Sequence, residues 1–128
     1  MNYVVYDQQG TISQWGIGQP PPHRPSLEYD MNIDPALYYV DVTEQQMVPK
    51  DRMLLSFPMG PTPADGITEA VIDGLPVDTV CDFYVSDTAH RIEVQDGNLE
   101  MTLETPQIVV VRLWHSRFYH PPIELEFV

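Results

Sequence analysis

The stretch Asp96-Gly97-Asn98-Leu99-Glu100-Met101-Thr102-Leu103-Glu104 decides the fold class. Leu99, Met101 and Leu103 alternate with Glu100, Thr102 and Glu104. Successive side chains of a strand point to opposite faces, so this period of two marks one dry face and one wet face. Asp96-Gly97 in front of it reads as a hairpin turn, because an Asp-Gly pair accepts the positive φ of a type I′ turn. Downstream, Ile108-Val109-Val110-Val111-Arg112-Leu113-Trp114 is nearly continuously apolar, as in a strand covered on both faces or by a partner. The last run, Ile123-Glu124-Leu125-Glu126-Phe127-Val128, alternates again.

Upstream the same texture continues. Strands are expected at Met53–Phe57, Ile67–Asp73, Val80–Val85 and His90–Val94, with turns at Pro58–Gly66, Gly74-Leu75-Pro76 and Ser86-Asp87-Thr88. Seven short strands between Arg52 and Val128, with turns roughly every 8–12 residues, predict an immunoglobulin-like β-sandwich. No Cys…Trp…Cys spacing exists, which excludes an antibody-type domain. The expected inner face comprises Ala70, Ile72, Cys81, Phe83, Ile92, Val94, Leu99, Met101, Leu103, Val109, Val111, Leu113, Ile123, Leu125 and Phe127. Ile108, Val110 and Trp114 share the outward side of their strand with Arg112. Three outward apolar side chains on one strand make a candidate interface, unless the N-terminal part of the chain covers them.

Residues 1–51 read differently. Tyr3-Val4-Val5-Tyr6, a turn at Asp7–Gly10 and Thr11–Trp15 form a hairpin. A lone two-stranded hairpin is marginal in water, so it should lean on something else. Gln19-Pro20-Pro21-Pro22-His23-Arg24-Pro25 favours an extended polyproline II arm, either a stiff linker or a segment that docks on a partner. A second strand pair is expected at Leu37–Val42 and Met47-Val48, with a turn at Thr43–Gln46 and a stop at Pro49. The whole is therefore expected to be all-β: N-terminal hairpins and a proline-rich docking arm over residues 1–51, then the immunoglobulin-like sandwich over 52–128.

Composition narrows the function. The 128 residues include six Lys plus Arg against nineteen Asp plus Glu, a formal net charge of −13. Nucleic-acid binding draws on Lys and Arg to release counterions, so no nucleic-acid partner is expected. An anionic membrane surface is disfavoured equally, and no apolar run nears the ~18 residues of a membrane helix. The start Met1-Asn2-Tyr3-Val4-Val5-Tyr6-Asp7 has neither the basic nor the apolar region of a signal peptide, and a soluble cytosolic chain is the expectation. Hydrophobic residues make up 43%, enough for a core.

No catalytic constellation emerges. Cys81 cannot make an internal disulfide, and its neighbour Asp82 disfavours a reactive thiolate, so it reads as a buried hydrophobe. His23, His90, His115 and His120 lack the spacing of a metal site. Glu100/Glu104 and Glu124/Glu126 fall on outward faces, where carboxylates solubilise rather than catalyse. Asp82–Asp87 and Asp96-Gly97-Asn98 are too sparse for a calcium loop. Gly16-Ile17-Gly18 runs into prolines rather than a helix and is no nucleotide fingerprint. No enzyme and no cofactor is expected. The aromatics Trp15, Tyr39, Trp114, Phe118 and Tyr119 read as packing or interface anchors. With Pro20, Pro21, Pro22, Ile108 and Val110 they form the expected partner-binding set. The loop His115–His120 is the richest in side chains that could recognise something.

The pattern Ala64-Asp65-Gly66-Ile67…Ala70-Val71-Ile72-Asp73-Gly74-Leu75-Pro76, then Val94-Gln95-Asp96-Gly97-Asn98-Leu99, Thr105-Pro106 and Val111-Arg112-Leu113, resembles small tail proteins of tailed bacteriophages. Tyr119 and the closing Glu126-Phe127-Val128 fit as well, as do the opening hairpin and Tyr38-Tyr39-Val40-Asp41. Gln107, where that pattern has glycine, and the triple proline depart from it. The resemblance implies a non-enzymatic structural protein of a virion, at the tail, baseplate or tail-fibre attachment region, assembled in the host cytoplasm. Its partners would be other virion proteins, with several copies around a symmetric tail or a homo-oligomer. The alternatives are a tail-fibre assembly chaperone that leaves the particle and a carbohydrate-binding module for a host surface glycan.

Overall fold

The computed structural model describes residues 1–30 and 32–128. The protein is all-β and built from antiparallel sheets, and its single helical element is one short 3-10 turn among the described residues. The chain divides into two compact units, Met1–Asp51 and Arg52–Val128.

In the first unit β1 (Asn2–Tyr6) is the centre of a three-stranded sheet, flanked by β2 (Ile12–Ile17) and β3 (Ser26–Glu28). The hairpin β1–β2 turns where expected. The Asp7 carboxylate accepts the N–H groups of Gln9 and Thr11 at 2.9 Å each, and Gly10 completes the turn at φ +84°. What the hairpin leans on is β3, which pairs Val4 with Leu27 and Val5 with Ser26. The proline-rich segment is accordingly not an extended arm. It turns at Pro22-His23, with His23 at φ +63°, and returns the chain to the same sheet. The Tyr6 N–H donates to the Pro25 carbonyl at 3.1 Å, and Arg24 reaches back to Gln14 Oε1 at 3.2 Å. The prolines stiffen a connection between two strands, where local stiffness suits a short loop as well as it suits a spacer.

A 3-10 turn, Pro35–Leu37, is capped by Asp34, whose carboxylate accepts from the Ala36 N–H at 3.0 Å. It leads into the hairpin of β4 (Tyr38–Asp41) and β5 (Gln46–Pro49). Pro49 is the last paired residue, opposite Tyr38. Val4, Tyr6 and Val40 form the core of this unit, with Ile12, Leu27, Tyr29 and Met47 packed against it.

The two-residue β6 (Asp51–Arg52) lies at the division. In the second unit β7 (Ala70–Asp73) pairs with β10 (Asn98–Met101). A four-stranded sheet runs in the order β13 (Ile123–Phe127), β11 (Gln107–Trp114), β8 (Thr79–Val85), β9 (Thr88–Val94). The two-residue β12 (Phe118–Tyr119) follows β11, and the Tyr119 carbonyl accepts from the Met53 N–H at 2.9 Å. Both sheets contribute to one core, in which Ile72, Leu99 and Met101 meet Cys81, Val109, Val111, Leu125 and Phe127.

Four expectations change here. Met53–Phe57 forms no strand; only Ser56 bridges to Asp73. Ile67 is not in a strand but 82% exposed, in a turn whose Asp65 carboxylate accepts the N–H groups of Ile67 and Thr68 at 2.9 and 2.7 Å. Asp96-Gly97 is no hairpin turn, because β9 pairs with β8 and β10 pairs with β7, so the chain changes sheets there. Ile92 is 41% exposed although it faces the side of Cys81, since β9 is the last strand of its sheet.

Candidate interaction face

The outward side of the four-stranded sheet gathers the chemistry of the second unit. Register places Arg112 opposite Asp82, and Asp82 opposite Arg91. Opposed residues of an antiparallel pair project to one face, so the three form a charged row across β11, β8 and β9. Trp114 stands opposite Val80, which stands opposite Glu93. On the other flank Val110 faces Glu124 and Ile108 faces Glu126.

Asp82 is the hub. Arg91 Nε donates to its Oδ1 at 2.6 Å and Nη2 to its Oδ2 at 2.8 Å, a bidentate fork. Trp114 Nε1 donates to the same Oδ2 at 2.7 Å. The Arg91 fork holds the Asp82 carboxyl below the usual carboxylate range; burial opposes it, and the indole N–H and the nearby positive charge add to the lowering. Arg91 is held further above its already high value by the same partner. One carbon layer beneath, burial first and the Asp82 charge second push the Cys81 thiol up to about 11. That thiol is neutral and fully buried, which makes it a core side chain rather than a nucleophile.

Around this hub lie exposed apolar side chains of the second unit: Ile108 at 62%, Trp114 at 54% and Tyr84 at 67% exposure, with Val110 beside them. The face thus has an apolar stripe along β11 and β8, crossed by a charged row and bordered by Glu93, Glu124 and Glu126.

Of the expected partner-binding residues, Ile108, Val110 and Trp114 come together on this face. Phe118 and Tyr119 do not join it. Both are half-buried, and Phe118 packs on the core and meets the His115 ring edge-on at 5.2 Å. The loop around them satisfies itself. His115 Nδ1 accepts from the Arg117 N–H at 2.9 Å, so its Nε2 carries the proton that points to the Val77 carbonyl at 2.9 Å. In the first unit Trp15 is half-exposed on β2, Tyr39 is half-buried on β4, and of the three prolines only Pro22 is exposed. Among the described residues no group of three or more His, Cys, Asp or Glu is placed to hold a metal ion.

Tyr84 and the Asp82–Arg91 fork were absent from the expected set. Their signal lies in the run Val80–Val85, where Asp82 and Tyr84 alternate with the buried Cys81 and Phe83. No protein-family model, no curated protein and no solved structure matches this chain.

Proposed function

We propose that the protein is a non-enzymatic structural component of a tailed-phage virion, and that its second unit is an immunoglobulin-like β-sandwich that docks on another virion protein. The observation that carries the docking is the exposed stripe of Ile108, Val110, Trp114 and Tyr84. Solvent-exposed apolar side chains gathered on one face, interleaved with and rimmed by charge and held by a sheet, are the ordinary makeup of an interface. Aromatic anchors whose geometry is already fixed lose little entropy on binding, and the hydrogen bond from Trp114 to Asp82 fixes the indole. The assignment to a virion rests on the resemblance of the turn and strand residues to small phage tail proteins. The two antiparallel sheets around one core support the sandwich.

Quantitative mass spectrometry of purified particles tests this reading. A fixed copy number, in a multiple set by the symmetry of the tail, is the expected result. Presence in infected-cell lysate with absence from particles would overturn it in favour of a tail-fibre assembly chaperone. A host glycan that quenches or shifts Trp114 fluorescence would favour a carbohydrate-binding module instead.

A further inference from the structure

The strand β9 ends its sheet, and no second strand of its unit pairs with it among the described residues. Its partner β8 lies on one side only, and the ladder Thr79↔Val94 to Val85↔Thr88 runs without a bulge. The other end of the same sheet is different: Thr62 runs along β13, donating to the Glu126 carbonyl at 2.8 Å and accepting from the Val128 N–H at 3.0 Å. One edge is closed and the other is open.

The turn between β8 and β9 shows which groups the open edge presents. Ser86 and Asp87 both have positive φ, +47° and +68°, as a two-residue type I′ turn requires. The residues flanking such a turn, Val85 and Thr88, exchange hydrogen bonds, and bonded and non-bonded pairs then alternate. Thr88, His90, Ile92 and Val94 therefore bond toward β8. Ala89, Arg91 and Glu93 aim their N–H and C=O groups away from it, and none of these groups has a backbone partner among the described residues.

An open edge of this length is a template for another strand unless its side chains forbid it. Here they select the partner. We propose that β9 pairs antiparallel with β9 of a second copy about a two-fold axis through Ile92. In that register Ile92 meets Ile92 at the centre, as a non-bonded pair where side chains come closest. On either side Arg91 of one copy opposes Glu93 of the other, and these are the residues whose backbone groups are free. The outward N–H and C=O pattern and the charge pattern thus agree on one alignment, and both are self-complementary, as a two-fold interface demands. A two-fold centred on Arg91 would set like charges against each other. The exposure of Ile92, at 41%, is then the mark of an apolar side chain awaiting its twin. Arg91 would keep its fork to Asp82 and gain the second copy's Glu93, whose carboxylate now accepts from Gln95 Nε2 at 2.9 Å. The net charge of −13 opposes association at low salt, but at physiological ionic strength charges beyond about 8 Å are screened and the contacts at the edge decide. The proposal does not depend on the virion reading: its backbone pairing uses the sheet edge, and its charge pairs lie at the border of the outward face.

Sedimentation equilibrium of the full chain at physiological salt tests it. The apparent mass should climb from 14.6 kDa toward twice that value as concentration rises into the high micromolar range. Glu93→Arg, which places Arg91 against a second arginine twice while sparing the Asp82 fork, should weaken association at least tenfold. Arg91→Glu should do the same through paired glutamates. Mixed in equal amounts, the two variants restore opposite charges at both pairs and should associate again, which also shows that both are folded. A wild-type chain that stays at 14.6 kDa throughout overturns the proposal, as does a Glu93→Arg chain that associates like wild type. A mixture no more associated than its components overturns it too.

Discussion

Trp114 and Asp82 are joined diagonally across the β8–β11 ladder, the indole N–H donating to Oδ2 at 2.7 Å. The same carboxylate receives the Arg91 fork from the opposite strand. One acid therefore ties three strands together on the outward face and holds an exposed indole in place. Both the electrostatics of the sheet and the shape of its apolar stripe depend on it.

The acidity of Asp82 gives a stability test with a definite sign. Its folded pKa lies below its unfolded value, so its contribution is complete above the unfolded pKa of about 4. It is lost as pH falls through the lower folded value. Denaturation of wild type and Asp82→Asn across the acid range should show the difference between them shrinking over that window. In the same titration Trp114 emission should step in wild type and not in the variant. A stability difference that does not change with pH would mean that Asp82 acts through packing alone.

Neighbouring positions on β11 and β13 should behave oppositely. Leu125 is 2% exposed and lies in the core, so Leu125→Ala should cost about 2–5 kcal/mol by denaturant unfolding. Ile108 is 62% exposed on the outward side, so Ile108→Ala should stay within about 0.5 kcal/mol while weakening partner capture. Equal costs at the two sites would show that the outward stripe is structural.

Alternation made most of the second core legible. From Ala70 to Phe127 the apolar residues placed inward on a period of two are buried, apart from Leu103, which packs at the margin, and Ile92, while Leu75, read as part of a turn, joins the core as well. Ile92 escaped because periodicity gives a face but not whether another sheet covers it. Turn chemistry was less faithful. Asp96-Gly97 carries the hairpin signal yet sits where the chain changes sheets, and Asp96 serves instead by accepting the Asn98 N–H at 3.1 Å. The type I′ turn belongs to Ser86-Asp87, residues that tolerate positive φ without advertising it. The third strand of the first unit, Ser26–Glu28, is three residues long and follows a proline run, too short for any period to register. The outward face was half visible for a related reason. A lone apolar strand such as Ile108–Trp114 shows in sequence, whereas the fork of Asp82 and Arg91 depends on strand register.

Cys81 should be inert while the protein is folded. Its thiol is buried and pushed up to about 11, so little thiolate exists near neutral pH and reagents must wait for opening. Modification by a thiol reagent at about pH 8 should be at least a hundredfold slower than in denaturant. The raised pKa also means that its contribution to stability is full below the unfolded value and falls as pH rises toward the folded one. Cys81→Ala should flatten that alkaline loss. Rapid labelling of the native chain would contradict the burial.

Gly10 and Gly60 separate backbone demand from mere occupancy. Gly10 has φ +84°, and a Cβ there would collide with the Val40 carbonyl oxygen. The Gly10 carbonyl also accepts the Val40 N–H at 2.8 Å, so the turn of β1–β2 is fastened to β4 inside the first unit. Gly10→Ala must therefore move backbone against backbone and leave the favoured φ region, which should cost more than about 1 kcal/mol and loosen the first unit. Gly60 has no positive φ and open space around its Cβ position. Gly60→Ala should be neutral, or stabilising by about 0.4–1 kcal/mol through the unfolded chain. Hydrogen exchange locates the effect: in Gly10→Ala the Val40 amide should lose protection while that of Val109 in the second unit keeps it. If Gly10→Ala leaves the Val40 amide as protected as in wild type, the turn is not fastened to β4 in solution.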